Sequence, residues 1–345
     1  MIESLQSLRV LMILLVFMSH FGYAGIPPFN AGGDGGVAFF FVLSGFVTAL
    51  SQSNKIKEGT YRHKHFLTSR LKRLYPLHMA CLAAVIVLHG HHYSSADVLP
   101  LAANALLVQS FVPLDTWYFS GNSVAWFLST LLFSYLLFPC LYRLLVSSKP
   151  YKFGFCSAGM AIFYALCLWL MPASHINSVL YVSPLLRTVD FSIGLIGYRL
   201  YRQWQQSSAP PPTTFAFKSF LETAALVCFA VALVLYPDAD AKLRTACLFW
   251  PGSLFLILVF AAHGQQGGIF CKMLTTNILC ELSKLTFYIY MTHQILISIC
   301  LYAIGKSSLS LPYIGALLLT ILTTIFVAIL IKKSHSILKT KFSVI

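Results

Sequence analysis

The stretch "LRVLMILLVFMSHFGY", residues 8 to 23, is an apolar run long enough to enter a lipid bilayer, and it limits the fold more than any other. It carries two side chains that hydrocarbon does not accept cheaply, Arg9 and His20. A charged group at the bilayer centre costs at least ~2.5 kcal/mol on insertion scales, so a purely structural span would contain neither. The two lie eleven positions apart. On an α-helix that is about three turns plus 20°, with a rise of about 16 Å. The expectation is one stripe, with a cation near one membrane surface and an imidazole about halfway across. The plainer alternative is an Arg that snorkels from a helix end and a His hydrogen-bonded inside the bundle.

Apolar segments of spanning length recur at roughly 8–24, 36–52, 75–90, 123–142, 153–172, 179–198, 218–236, 243–262, 282–303 and 311–331. The predicted fold is therefore an all-α polytopic membrane protein of about ten transmembrane helices. Composition agrees: 58% of residues are hydrophobic and 10% charged, where soluble domains carry about 25% charged residues. Mean hydropathy is +0.76. Residues 98–113, bracketed by Pro100 and Pro113, are too short for another span and read as a partly embedded loop. The first run has a single basic residue before its apolar stretch and His20 within it, so it reads as a retained span rather than a signal peptide.

A net charge of +14 would suggest nucleic acid in a soluble chain. Here Lys and Arg gather in alternate loops, and no nucleic-acid partner is expected. Lys55, Lys57, Arg62, Lys64, Arg70, Lys72 and Arg73 share one loop, and Arg143, Lys149, Lys152, Arg199, Arg202 and Lys218 fall on the same side. So do Lys272, Lys284, Lys332, Lys333, Lys339 and Lys341, whereas the opposite loops hold only Lys242, Arg244 and Lys306. Both termini are expected in the cytoplasm. The chain reads as one membrane-embedded domain over 1–345, with a first half 1–204, a linker 205–217 containing "QQSSAPPP", a second half 218–335 and a basic tail 336–345. Cys81, Cys140, Cys156, Cys167, Cys228, Cys247 and Cys300 sit in apolar runs without any CxxC and read as small core residues.

Several constellations could carry chemistry. "NAGGDGG" (30–36) reads as a Gly-rich turn that folds tightly beside His20, and Ser44 and Gly45 as small residues permitting close helix approach. For Ser44, packing is the plainer role. In "HFLTSRLKRLYPLH", Arg70 and Arg73 share a helix face that ends at Pro76. Positive-inside charge explains the number of cations but not an ordered Arg pair running into a span, and guanidinium forks suit phosphate oxygens. Arg187 and Asp190, three apart in an apolar segment, read first as an intramembrane ion pair, with a site role as the alternative. "LSKLTFYIYMTHQ" places Ser283, Tyr288, Tyr290 and His293 on a span, His293 being either a structural hydrogen bonder or a site residue. "HGHHY" (89–93) lacks helical ligand spacing and a carboxylate partner and reads as a solvated loop, so no metal site is expected.

Taken in order, Arg9 and His20, "FFFVLSGF" (39–46), "RLKRLYP" (70–76), "AWFLSTLLFSYLLFP" (125–139), "RTVDFSIG" (187–194) and "FYIYMTH" (287–293) resemble the integral-membrane acyltransferase-3 family. Each motif is modest, but they follow family order over most of the chain. The resemblance implies transfer of an acyl group, usually acetyl, onto carbohydrate outside the cytoplasm, in a bacterial inner (plasma) membrane. Relatives fused to a C-terminal hydrolase-like domain usually have an Asp after the Gly-Val of the second span and two glutamates in the Trp126 segment. Here those places hold Ala38, Leu131 and Leu132, which points to the stand-alone branch.

With that resemblance, acetyl-CoA or another acyl-CoA is the expected donor substrate and no bound cofactor is expected. Its phosphates would dock on Arg70, Arg73 and Arg9, and its pantetheine arm would run between helices towards His20. His20 would be the general base on a hydroxyl of a glycan or lipid-linked saccharide, with a transient acyl-His as a variant. Trp126 joins Ser44, Arg187, Asp190, Tyr288 and His293 as residues that serve either the site or the structure. Membrane lipid is the surrounding partner, and oligomeric state is not legible. The alternative reading is a secondary transporter of an organic anion using the same Arg and His residues, although neither inverted repeats nor broken mid-span helices stand out.

Overall fold

A computed structural model describes residues 2–206, 214–264, 266–307 and 311–342, with side chains as far as His335. Residues 207–213 of the expected linker and the side chains of the basic tail lie outside the described residues. Helix α1 (Glu3–Met18) leads through a short reversal to α2 (Asn30–Lys57) and then α3 (His63–His89). Two short helices, α4 (Val98–Ala105) and α5 (Asp115–Tyr118), precede α6 (Trp126–Leu145). Then come α7 (Pro150–Leu170), α8 (Pro184–Gln206) and α9 (Phe215–Leu235). The single turn α10 (Ala241–Arg244) precedes α11 (Trp250–His263), and the short α12 (Ile269–Leu274) and α13 (Asn277–Ser283) precede α14 (Thr286–Lys306). Helix α15 (Tyr313–Phe342) completes the described chain. The described residues contain no strand, only an isolated bridge between Tyr23 and Ile26.

Each of the ten expected segments contains one of the longer helices. Among the described residues seven helices are long and apolar enough to cross a membrane, or eight if 173–181 and 184–206, bent by 53°, form one broken span. Helices α1 and α11, with 16 and 14 residues, fall short of the ~20 that a full crossing needs. Residues 98–113 contain only the short α4 and a one-turn 3-10 segment, consistent with a partly embedded connection.

Helix α2 forms the spine of the bundle: 78% of its most apolar window is buried, against 6% for the peripheral α7. The glycines expected to form a turn at 30–36 instead form the first two turns of α2. Glycine is a poor helix former, but here it removes steric bulk between two helices. A Cβ on Gly32 would stand 2.6 Å from the Leu15 carbonyl oxygen, and one on Gly36 2.6 Å from Val16 Cγ2. Gly33 faces the Ser19 hydroxyl at the same separation, 2.6 Å. Packing against α1 therefore overrides local propensity. On its other side α2 presses on α8 through Gly45 and Gly194, each against the backbone of the opposite helix.

Three further expectations are corrected. Helix α3 does not end at Pro76 but continues through it to His89, so Arg70 and Arg73 belong to the same rod as the apolar span. Helix α1 ends at Met18, because Gly22, Gly25, Pro27 and Pro28 turn the chain back towards α2, and His20 stands in the turn beyond it. His20 therefore follows the helix instead of lying on its stripe, and its side chain is exposed. Of the cysteines expected in the core only Cys81 is buried, along with Cys271, while Cys140 is exposed and the rest are half-buried. A thiol is apolar enough to face lipid, so its place in an apolar run does not separate core from periphery.

Candidate functional site

Arg9 from α1 and Arg70 and Arg73 from α3 meet at one cavity of about 210 Å³. Its remaining walls come from α2 (Phe40, Leu43, Ser44, Val47, Thr48, Ser51), α6 (Phe127, Leu128, Leu131, Tyr135), Gln6, Leu74 and Phe287. From Ser51 to Phe40 the α2 wall spans eleven residues, about 16 Å of helix. Along α2 the wall passes from Ser51 and Thr48 through Val47 and Ser44 to Leu43 and Phe40. A second, wider opening of about 490 Å³ shares Gln6, Arg9, Arg73 and Phe287 and adds Glu3, Cys280, Ser283, Lys284 and Thr286.

The guanidinium of Arg70 lies against the rings of Phe66 and Tyr135, 5.1 and 5.2 Å from their centroids, and the two rings meet edge to face at 5.5 Å. Arg9 donates to Gln6 Oε1 at 3.0 Å. Among the described residues no carboxylate pairs with any of the three arginines. Three guanidinium groups around one mouth suit an anion, with the Glu3 carboxylate lining the adjoining opening. The ordered Arg pair and Arg9 are thus brought together, and Ser44 belongs to the cavity wall while its neighbour Gly45 makes the helix contact.

At the far end of α1 two imidazoles meet. His20 Nδ1 and His293 Nε2 are 3.4 Å apart, with ring centroids at 5.0 Å. His20 Nδ1 lies 2.9 Å from the Val16 carbonyl oxygen, which can only accept, so Nδ1 carries the hydrogen and Nε2 the lone pair. His293 is fully buried on α14. Its turn of helix is fastened to the start of α6: Asn122 Nδ2 donates to the Met291 carbonyl at 3.0 Å and the Tyr290 hydroxyl to the Val124 carbonyl at 3.0 Å. Ser123 Oγ donates to Gln294 Oε1 as well.

The cavity and the histidine pair do not share lining residues. Gly33 packs on Ser19, so His20 stands near the level of Gly33, seven residues along α2 from Phe40 and about 10 Å beyond the deep end. Phe127 occupies the interval. Its ring is 5.2 Å from that of Tyr290, which is 5.8 Å from His293.

Arg187 and Asp190 are both fully buried and paired at 2.7 Å within α8. Arg187 also donates to the carbonyls of Tyr181 at 2.6 Å and Thr245 at 2.9 Å, and lies over the Tyr181 ring at 4.7 Å. Trp126 flanks the same guanidinium at 5.8 Å. The second oxygen of Asp190 accepts from Trp250 Nε1 at 2.7 Å. Both ions are enclosed by protein partners, an arrangement that ties the 181 segment, α8, α10 and α11 together. Tyr288 is brought neither to the cavity nor to the histidines, and its hydroxyl meets His335 Nδ1 at 3.2 Å.

Sequence reasoning missed two acids. Glu222, fully buried, accepts from His263 Nδ1 at 2.9 Å and from the amides of Gly268, Phe270 and Cys271 at 2.6, 3.0 and 3.1 Å. It caps the start of α12, where backbone donors have no helical partner. Asp34 accepts from the Tyr236 hydroxyl at 2.7 Å. A lone carboxylate inside the apolar run 215–235 was the available signal for Glu222.

A family model described as "Acyltransferase domain" matches residues 2–333. Among curated proteins the chain is similar to acyltransferase MdmB of Streptomyces mycarofaciens, with 28% identity over 281 residues, covering 67% of this chain and 70% of that protein. It is also similar to protein 2 in the picA locus of Rhizobium radiobacter, with 49% identity over 47 residues, 14% of this chain and 25% of that one. No solved structure matches the chain.

Proposed function

The chain belongs to this acyltransferase family, and from that premise we propose that it moves an acyl group, acetyl first of all, from cytoplasmic acyl-CoA to a hydroxyl of a cell-envelope or exported glycan. The observation that carries the reading is the convergence of Arg9, Arg70 and Arg73, none in a salt bridge among the described residues, on a cavity whose α2 wall passes from Ser51 and Thr48 to Leu43 and Phe40. A nucleotide bearing several phosphates attached to a thin, mostly apolar arm has that polarity. The basic loops would face the cytoplasm of a bacterial inner membrane, where acyl-CoA is made.

In the proposed reaction His20 Nε2 takes the proton from the acceptor hydroxyl as its oxygen attacks the thioester carbonyl. The new carbon–oxygen bond forms, the carbon–sulfur bond breaks, and the CoA thiolate leaves with the proton that His20 returns. The products are an ester and free CoA. Apolar walls around the arm keep water from hydrolysing the thioester. Membership in an acyltransferase family speaks against the anion-carrier alternative, since a carrier has no use for an acceptor hydroxyl.

Inverted membrane vesicles supplied with acetyl-CoA labelled in the acetyl group test the reading. Base-labile label is expected in the envelope glycan fraction. His20→Ala should lower that transfer by about 10²–10⁴ while calorimetric binding of acetyl-CoA persists. Near-normal transfer by His20→Ala at matched protein level would overturn the assignment, and label crossing the membrane as free acetate or intact acetyl-CoA would favour a carrier.

A further inference from the structure

The buried member of the histidine pair has a geometry that a mere packing residue does not need. His293 Nδ1 is 2.7 Å from the Tyr290 carbonyl oxygen, so that nitrogen carries the hydrogen. The lone pair of the neutral ring is then on Nε2, and His20 Nδ1 lies 3.4 Å from it. The His20 hydrogen has three acceptors within reach: this lone pair, the Val16 carbonyl oxygen at 2.9 Å and Ser19 Oγ at 3.1 Å. The Ser19 hydroxyl donates its own hydrogen to that same carbonyl at 2.7 Å, so towards His20 its oxygen accepts. The Tyr290 hydroxyl is likewise committed to Val124.

We propose that His293 is the positioning residue for His20, a neutral acceptor that holds the His20 hydrogen on Nδ1 and leaves the lone pair on Nε2, away from the bundle. This rests on the reading of His20 as the base. When Nε2 takes the acceptor proton, the Nδ1–H of the resulting imidazolium becomes a stronger donor, and its acceptors, His293 among them, are already in place. A carboxylate in the same position would attract the cation more strongly, but it would have to be buried without its own counter-ion in an apolar bundle. An imidazole fixed by a backbone carbonyl does the orienting without that cost. The bonds from Asn122, Ser123 and Tyr290 between α6 and α14 keep the His293 turn from drifting.

Three substitutions separate this role from packing. His293→Gln puts an accepting oxygen near the Nε2 position, His293→Asn puts a donor near the Nδ1 position that meets Tyr290, and His293→Phe keeps only the ring. Transfer of labelled acetyl to the glycan fraction is followed in inverted vesicles as a function of acetyl-CoA concentration. Calorimetric binding of acetyl-CoA, at the opposite end of α1, checks that each variant is folded. His293→Phe and His293→Asn are expected to lower kcat by about 10–100-fold with KM unchanged, as loss of an orienting partner does elsewhere. His293→Gln is expected to recover most of that loss. Recovery by Asn but not Gln would make the Tyr290 bond the point of the residue and overturn the proposal. Equal rates in all three variants, high or low, would overturn it too. His20→Ala is assayed alongside: full transfer there removes the base reading itself, whatever the His293 series shows.

Discussion

Gly45 on α2 and Gly194 on α8 cross so closely that neither has room for a methyl group. A Cβ on Gly45 would stand 1.9 Å from the Phe191 carbonyl oxygen, and one on Gly194 1.9 Å from that of Val42. Both obstacles are backbone and cannot rotate aside. Gly45→Ala or Gly194→Ala should force the helices apart, and overpacking of this kind costs about 1–3 kcal/mol or more. The expected result is loss of the monodisperse, detergent-solubilised fraction on size exclusion. Gly159→Ala, at a site with nothing within 4 Å, should behave as the parent does.

Arg187 and Asp190 should obey the asymmetry of buried ion pairs. Arg187→Met or Asp190→Leu alone strands a charge among Tyr181, Trp126 and Trp250, a loss of about 3–5 kcal/mol. The double substitution removes both charges and should recover part of the stability. Thermal unfolding in detergent reads the difference, and a double variant no better than the worse single one would refute the account.

Arg70 and Arg73 should govern donor binding. Replacing either with Ala weakens the calorimetric affinity for acetyl-CoA. Lys restores little, because a point charge neither forks onto phosphate nor lies against the Phe66 and Tyr135 rings as the Arg70 guanidinium does. Unchanged affinity in the double Ala variant would remove the phosphate assignment.

Phe127 bounds the deep end of the cavity and touches Tyr290, one helical turn from His293. If the donor arm passes this ring to reach His20, Phe127→Trp should obstruct it. Transfer is expected to fall tenfold or more, about 1.4 kcal/mol of barrier, with acetyl-CoA binding at the arginines retained. Full transfer in that variant would mean that the arm takes another route.

Sidedness rests on charge alone. Of the 24 Lys and Arg, three lie in the opposite loops and Arg187 is enclosed by protein, leaving 24 − 3 − 1 = 20 on the expected cytoplasmic side. Lys57 and Ser95 are both exposed and fall on opposite sides of α3. With single cysteines at these positions in a background without native thiols, an impermeant maleimide added to spheroplasts should label position 95 and spare position 57. The reverse pattern would put the arginines on the wrong face for a cytoplasmic thioester.

The helices were legible because lipid demands long apolar runs, and Arg9, Arg70 and Arg73 because cations at span ends need a reason. The pairing of Arg187 with Asp190 followed from their three-residue spacing. The glycines at 32–36 were misread as a turn, since local propensity says nothing about a neighbouring helix that fits where side chains would stand. Glu222 escaped notice for a related reason: its partners arrive from 41 to 49 positions downstream, at His263 and the head of α12. Nothing in the run around His293 indicates that its Nε2 would meet the turn after the first helix, 273 positions away.

Arg9 and His20 are joined by one stretch of helix and the single turn that closes it, His20 N–H donating to the Phe17 carbonyl at 3.1 Å. Peptide geometry, rather than tertiary packing, therefore sets the interval between their two backbone positions. Bilayer thinning, helix tilt or a shift of α3 can change what surrounds the two residues but not how far apart those positions are. The first helix is a gauge of fixed length, and a molecule that must touch both ends is measured against it before anything else about that molecule matters.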